Sequence, residues 1–538
     1  MRTINIVKRM ATLSAALVMA ATVAAPATMI TGMAADIKVN TSTSTNVNFS
    51  NFSAYQIFAG TYNSTEGNMT VTGWGTGVDS TKLTTAFSGS TYFSGCTTAT
   101  DYADVLSGTG TDSPEAKEFA KCINKALSAT TSGTYDSESK TITGLADGYY
   151  IVVAGEGETE DGRTAWSSGL LQVAGTGLTT AEVTPKADVA SVEKKVYEDS
   201  ADAWQDIADA EMQQDVKFRL YATLPSNYDE YNQYYLQFKD QLDGGFSSVG
   251  NVKYYVKSGE TVTDLTTDKI TANTADVGAM TFTCTNLKEI TELGAGDTLI
   301  VEYTAKLNEG AIVTPTTGND NAVTLVYSNN PTVDVDGTQT PGSEENPTGE
   351  TPKDEVRVLT YQLDVTKIDG VTNATLADAK FKLQRAEDNK WATLDSNGKI
   401  TGWVTSEGDA TEITSGADGK FTITGFDEGT YKLKETVAPT DYNLPADSFD
   451  VIIASEFTNT TFATWGADTN PLSKLTLNGL GEYKDTGIIT MDIENTKGSS
   501  LPGTGGMGTT LFYFAGGALV IGSGVALIAK KRMKNKDM

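Results

Sequence analysis

Short runs of alternating apolar and polar residues, separated by turn residues, recur from Val192 to Asn495, and they leave this part of the chain little choice but strands. Side chains two apart in a strand face the same side. Val192, Lys194 and Val196 therefore share a face, as do Leu363, Val365 and Lys367 near the start of a later stretch. Asn321, Val323, Leu325 and Tyr327 form a third such face, and Ile489, Met491, Ile493 and Asn495 a fourth. Thr, Gly, Val and Tyr are abundant and long helical patterns are scarce. The expected fold class is all-β with minor helix, built as tandem immunoglobulin-like β-sandwich domains. One helix is expected before them: Ser113 can cap it, Pro114 suits its first turn, and Ala116, Phe119, Ala120, Ile123 and Leu127 fall on one side.

The apolar faces carry an anomaly. If they are the core, Lys194 and Lys367 are buried, and a buried ammonium is costly unless it is paired or neutralised. Each later module also presents an inward asparagine near its end, Asn321 in one and Asn495 in the other. Asn319 has the same parity as Asn321 and competes with it. An acid completes each set, Asp240 after Leu236 and Phe238, and Glu435 within Tyr431-Lys432-Leu433-Lys434-Glu435-Thr436.

The two ends are of another kind. Arg2, Lys8 and Arg9 precede an apolar, small-residue run from Ala11 to Pro26, which leads to Ala34 and Ala35; this is a secretory signal pattern, with the mature chain starting near Asp36. No charge occurs from Gly498 to Ala529, and the stretch from Leu511 to Ala529 is long enough to cross a bilayer as a helix. Lys530, Lys531, Arg532, Lys534 and Lys536 would hold its far end in the cytoplasm. Just before it stand Leu501, Pro502, Gly503, Thr504 and Gly505. The expected divisions are a signal peptide at 1–35, an N-terminal domain at 36–185, a middle domain at 186–340, a linker at 341–354, a C-terminal domain at 355–497 and a terminal segment at 498–538. Thr-Pro-Lys occurs at both internal junctions, ending at Lys186 and Lys353.

Several function classes are disfavoured. A formal net charge of -29 repels phosphate backbones, so nucleic acid is not an expected partner. The absence of histidine removes Ser-His-Asp and Cys-His catalysis and the commonest metal ligand. No metal site and no cofactor is expected. Of the cysteines, Cys96 and Cys122 are the pair that could share a domain, with buried thiols as the alternative, and Cys284 stands apart. Tyr228, Tyr231, Tyr234 and Tyr235 could form a sugar-binding face or pack inside.

The terminal segment resembles a sortase cell-wall sorting signal, in which the enzyme cuts between Thr504 and Gly505 and passes the Thr carbonyl to an amine. Together with the stretches Val192 to Val196, Gly318 to Asn330, Tyr361 to Asp369 and Tyr431 to Tyr442, it makes the chain similar to the sortase-assembled backbone pilins of Gram-positive bacteria. Those proteins carry collagen-adhesin-like immunoglobulin modules. The resemblance is sparse in the first module. It implies a non-enzymatic pilus subunit, exported and anchored to the cell wall. It further implies isopeptide bonds from Lys194 to Asn321 assisted by Asp240, and from Lys367 to Asn495 assisted by Glu435. The implied partners are a class C pilus sortase, a housekeeping sortase, identical subunits, peptidoglycan and minor or tip pilins. The family's acceptor lysine corresponds best to Lys186 in Val183-Thr184-Pro185-Lys186, although Thr184 stands where an aromatic is usual; Lys353 is the rival. A monomeric wall-anchored adhesin or minor pilin is the alternative reading.

Overall fold

The computed structural model describes Val18–Met19 and residues 35–498, apart from 42–46, 179–180, 334, 336 and 459–469. Most of the leader, and all of the Leu501 to Gly505 sequence with the apolar run behind it, lie outside the described residues. Among the described residues no helix is long and apolar enough to cross a membrane.

The N-terminal module is built on two long strands. Phe52–Asn63 pairs antiparallel with Gly148–Ala154, setting Tyr55 opposite Ile151. Pro114–Asn124 is helical, and the Ser113 hydroxyl accepts a 3.1 Å hydrogen bond from the Ala116 amide, which satisfies one of the first-turn donors. Phe119 and Ile123 on its inner side pack with Phe58, Tyr149 and Ile151. Leu127, expected on the same side, lies past the helix end and packs against the same core. A second helix, Ala99–Leu106, opens with a capping box between Thr98 and Asp101.

Two sheets face each other in the middle module. One is ordered Ala203–Gln205, Ser191–Glu198, Asp215–Thr223, Thr298–Leu307, Phe246–Ser258 and Thr261–Leu265. The other runs Ile207–Asp209, Asp354–Leu359, Asn319–Ser328, Leu236–Leu242, Met280–Cys284 and Thr271–Asn273. The C-terminal module again has two sheets. A small one places Tyr361–Asp369 between Lys420–Phe426 and Ile488–Asn495, and a larger one contains Lys380–Arg385, Gly429–Val437 and Phe449–Phe457.

The junction between these modules differs from the expected boundary at residue 355. Asp354–Leu359 is hydrogen-bonded into the middle module, antiparallel to Asn319–Ser328 and parallel to Ile207–Asp209. Its Val356 and Val358 are wholly buried there. Thr360 alone separates it from Tyr361–Asp369. Thr348–Glu350, inside the expected linker, pairs with the end of Asn319–Ser328. Alternation shows that a run is a strand and not which sheet receives it. The consequence is one buried apolar core running without a break through the middle and C-terminal modules.

Candidate functional site

In the middle module Lys194 and Tyr303 come from one sheet, Asp240 and Asn321 from the other. Asp240 lies opposite Val323 and Leu242 opposite Asn321, so Asp240 and Asn321 are diagonal neighbours on one face. All four side chains are shut away from solvent, with no more than 1% of any exposed. Lys194 Nζ donates to Asp240 Oδ1 at 2.5 Å and stands 3.4 Å from the Tyr303 hydroxyl. Tyr303 in turn donates to Asp240 Oδ2 at 2.5 Å and accepts from Asn321 Nδ2 at 2.7 Å. Its ring is stacked between Phe218 and Phe282, with centroids 5.5 and 5.9 Å away. Burial pulls the Lys194 pKa down while the carboxylate of Asp240 works against that shift. The Asn321 carbonyl oxygen is buried without a donor.

Asn319, the competitor, is engaged elsewhere. Its carbonyl accepts from the Ile312 amide at 2.7 Å, and its amide donates to the carbonyls of Ile312 and Val358 at 3.1 and 3.0 Å. It ties a loop to the sheet, whereas Asn321 joins the Lys194 cluster through its bond to Tyr303.

The C-terminal set has a different geometry. Tyr361–Asp369 and Ile488–Asn495 are parallel neighbours, Lys367 opposite Ile493 and Asp369 opposite Asn495, so Lys367 and Asn495 lie on one face a diagonal step apart. Glu435 comes from Gly429–Val437 in the other sheet. Lys367, Glu435 and Asn495 are 0, 3 and 2% exposed. Asn495 Nδ2 donates to Glu435 Oε1 at 2.7 Å, and Lys367 Nζ donates to the Ile493 carbonyl at 3.0 Å and that of Ile368 at 3.3 Å. Burial lowers the Lys367 pKa and raises that of Glu435. The remaining oxygens, Glu435 Oε2 and Asn495 Oδ1, are both buried without a donor. Burial favours the neutral form of Glu435, in which one of its oxygens becomes a donor. Neutral amine, neutral acid and amide are the components of an amide exchange that releases ammonia.

The two candidate acceptor lysines are both accessible. Lys186 lies in a cleft of about 510 Å³ between the N-terminal and middle modules, lined among others by Asp112, Lys117, Glu182, Glu230 and Pro331. Its ammonium pairs with Asp112 and lies 3.9 Å from Glu230, which also holds Lys117 at 3.0 Å. Lys353 stands on the surface, 55% exposed, paired with Glu355 at 2.5 Å.

Residues 361–466 match the SpaA prealbumin-like fold domain. A trypsin-resistant surface protein of Streptococcus pyogenes serotype M6, the T6 protein, is 25% identical over 278 aligned residues, covering 43% of this chain and 48% of the relative. The chain thus spans about half of that relative's length. Among solved structures, the T6 backbone pilin of serotype M6 Streptococcus pyogenes has a TM-score of 0.51 at 18% identity, over 88% of this chain and 100% of its own. The full-length major pilin SpaD of Corynebacterium diphtheriae is 22% identical over 70% of this chain and 84% of its own, with a TM-score of 0.42. The chain resembles Gram-positive backbone pilins.

Within that backbone-pilin fold, the C-terminal sandwich expected to be immunoglobulin-like is described by its match as prealbumin-like. Other sequence readings are settled by burial. Tyr228, Tyr231, Tyr234 and Tyr235 are all buried, so they offer no sugar-binding face. Cys96 and Cys122 are not joined by a disulfide; both are partly buried thiols packed against the helical core. Tyr303 is the member of the buried middle cluster that the sequence reading missed. Its parity with Val301 and Ala305 marks it only as a core residue, and nothing local distinguishes a Tyr aimed at a buried acid from one that merely fills space.

Proposed function

We propose that this chain is the structural backbone subunit of a covalently polymerised surface pilus, with two internal Lys-Asn crosslinks. In this reading Lys194 bonds to Asn321 with Asp240 assisting, and Lys367 bonds to Asn495 with Glu435 assisting. A pilus sortase transfers Thr504 of one subunit to Lys186 of the next identical subunit. A housekeeping sortase then passes the assembled polymer to peptidoglycan, and minor or tip pilins share the fibre. The protein itself turns over no substrate.

The observation that carries this reading is the pair of solvent-free Lys, acid and Asn sets in the two modules between Lys186 and Thr504. Among the described residues of the N-terminal module no lysine is buried, which agrees with a module lying off the path of tension. In each of the other two modules a covalent bond would tie strands that a pull along the chain otherwise peels apart. Asn321 does not lie on the last strand of its module, because Asp354–Leu359 follows it in the same sheet, so the proposed bond ties sheet to sheet inside the sandwich. Intact-mass analysis of the purified protein is expected to show the loss of two ammonia molecules, and an unmodified mass rules the crosslinks out.

A further inference from the structure

The two buried sets are wired differently. In the C-terminal set the acid touches the asparagine amide directly, Glu435 Oε1 to Asn495 Nδ2 at 2.7 Å. In the middle set no such contact occurs: Asp240 spends one oxygen on Lys194 and the other on Tyr303, and Tyr303 stands between the acid and the amide nitrogen. Any amide exchange here must still protonate that nitrogen, since an amide anion does not leave. The hydroxyl hydrogen-bonded to both the acid and that nitrogen is that of Tyr303.

We infer that Tyr303 is a catalytic residue of the middle module, a proton relay that carries a proton from Asp240 to the departing nitrogen of Asn321. This rests on the crosslinking reading proposed above. Transfer of one proton from the Lys194 ammonium to Asp240 Oδ1, across the 2.5 Å hydrogen bond, leaves a neutral amine. Nζ then attacks Cγ of Asn321. At the tetrahedral carbon the Nδ2 lone pair is no longer delocalised into the carbonyl, so Nδ2 changes from donor to acceptor toward the Tyr303 hydroxyl. The Asp240 carboxyl turns about Cβ–Cγ so that its protonated oxygen faces Tyr303; the phenol gives its proton to Nδ2 and regains that one, while the oxygen now facing Nζ takes the second proton from Nζ. The Cγ–Nδ2 bond breaks, ammonia departs, and the Nζ–Cγ amide retains one hydrogen. Asp240 finally surrenders its proton to the ammonia, which leaves as ammonium, so atoms and charges balance.

The geometry suits this role. Stacking between Phe218 and Phe282 fixes the ring, and the phenol is wholly buried, so bulk water does not compete for the proton. Tyr303→Phe removes the hydroxyl and keeps the ring. The test follows formation of the Lys194–Asn321 crosslinked peptide over time by mass spectrometry of digests of the purified protein. The Lys367–Asn495 peptide of the same molecules serves as an internal control. Tyr303→Phe is expected to slow the first crosslink about 100-fold, in the range of general acid catalysis, and to leave the second complete. Equal rates in wild type and variant overturn the relay. Absence of the Lys194–Asn321 peptide from wild type overturns instead the reading on which the relay rests.

If Tyr303→Phe loses the thermal transition of its module, replacement of all tyrosines by 3-fluorotyrosine tests the same step with the ring retained. A more acidic phenol is expected to change the rate of the middle crosslink and its pH profile but not the C-terminal one. No change in the middle crosslink overturns the proposal.

Discussion

Lys367 shows how much a single buried charge constrains. Its ammonium has no exposed surface and, among the described residues, two backbone carbonyls as partners, Ile493 and Ile368. The site is tolerable if the group is neutral or consumed, and burial drives it toward the neutral form. Glu435→Ala removes the acid while leaving both reacting groups. Peptide mapping is expected to find Lys367 and Asn495 unjoined, with the Lys194–Asn321 bond intact. By analogy with a disulfide closing a loop of that length, losing the bond costs about 5 kcal/mol of stability, measurable as a lower denaturation midpoint. A Glu435→Ala protein that still lacks the full ammonia mass contradicts the role given to Glu435.

At the scale of elements, the strand pattern was legible because each run has one buried face, and parity alone brought Lys194, Lys367, Asn321, Asn495, Asp240 and Glu435 inward. What parity could not reveal is how elements of different modules meet. Asp209, at the end of Ile207–Asp209, enters a buried contact with the C-terminal module. Its Oδ2 accepts from Tyr361 and Ser455 at 2.7 Å each, and its Oδ1 has no conventional donor. Burial together with the charge of the neighbouring Asp209 pushes the Asp427 pKa well above 3.8. A neutral Asp427 is the form that can donate to Asp209. An acid with a raised folded-state pKa stabilises most below its unfolded value, and that contribution is lost as pH rises through the folded one. Stability of the junction is therefore expected to fall with rising pH above about 3.8, by up to about 1.4 kcal/mol per unit from this group. Asp427→Asn keeps a donor at every pH and should flatten the decline in thermal melts. An unchanged slope contradicts the shared proton.

The molecule as a whole joins two modules with a continuous core to an N-terminal module, with Lys186 in the cleft at that last boundary. Lys186→Ala is expected to abolish the high-molecular-weight ladder in cell-wall extracts, whereas Lys353→Ala should leave it intact. The reverse result assigns the acceptor to Lys353, and a ladder that survives both substitutions rules out the pair. By itself the sequence determined the all-β class, the helix capped by Ser113, the inward lysines, acids and asparagines, and the resemblance carried by its terminal segment. These follow from periodicity and from local chemistry, which neighbouring residues express without help. Only the tertiary structure decided that Asp354–Leu359 completes the middle module, that Asn321 and not Asn319 is hydrogen-bonded to Tyr303 in the buried cluster, and that Tyr303 is bonded to both Asp240 and Asn321. Each of those depends on which strands pair and which sheets face each other, and such contacts are made between residues far apart in the chain, where no local pattern records them.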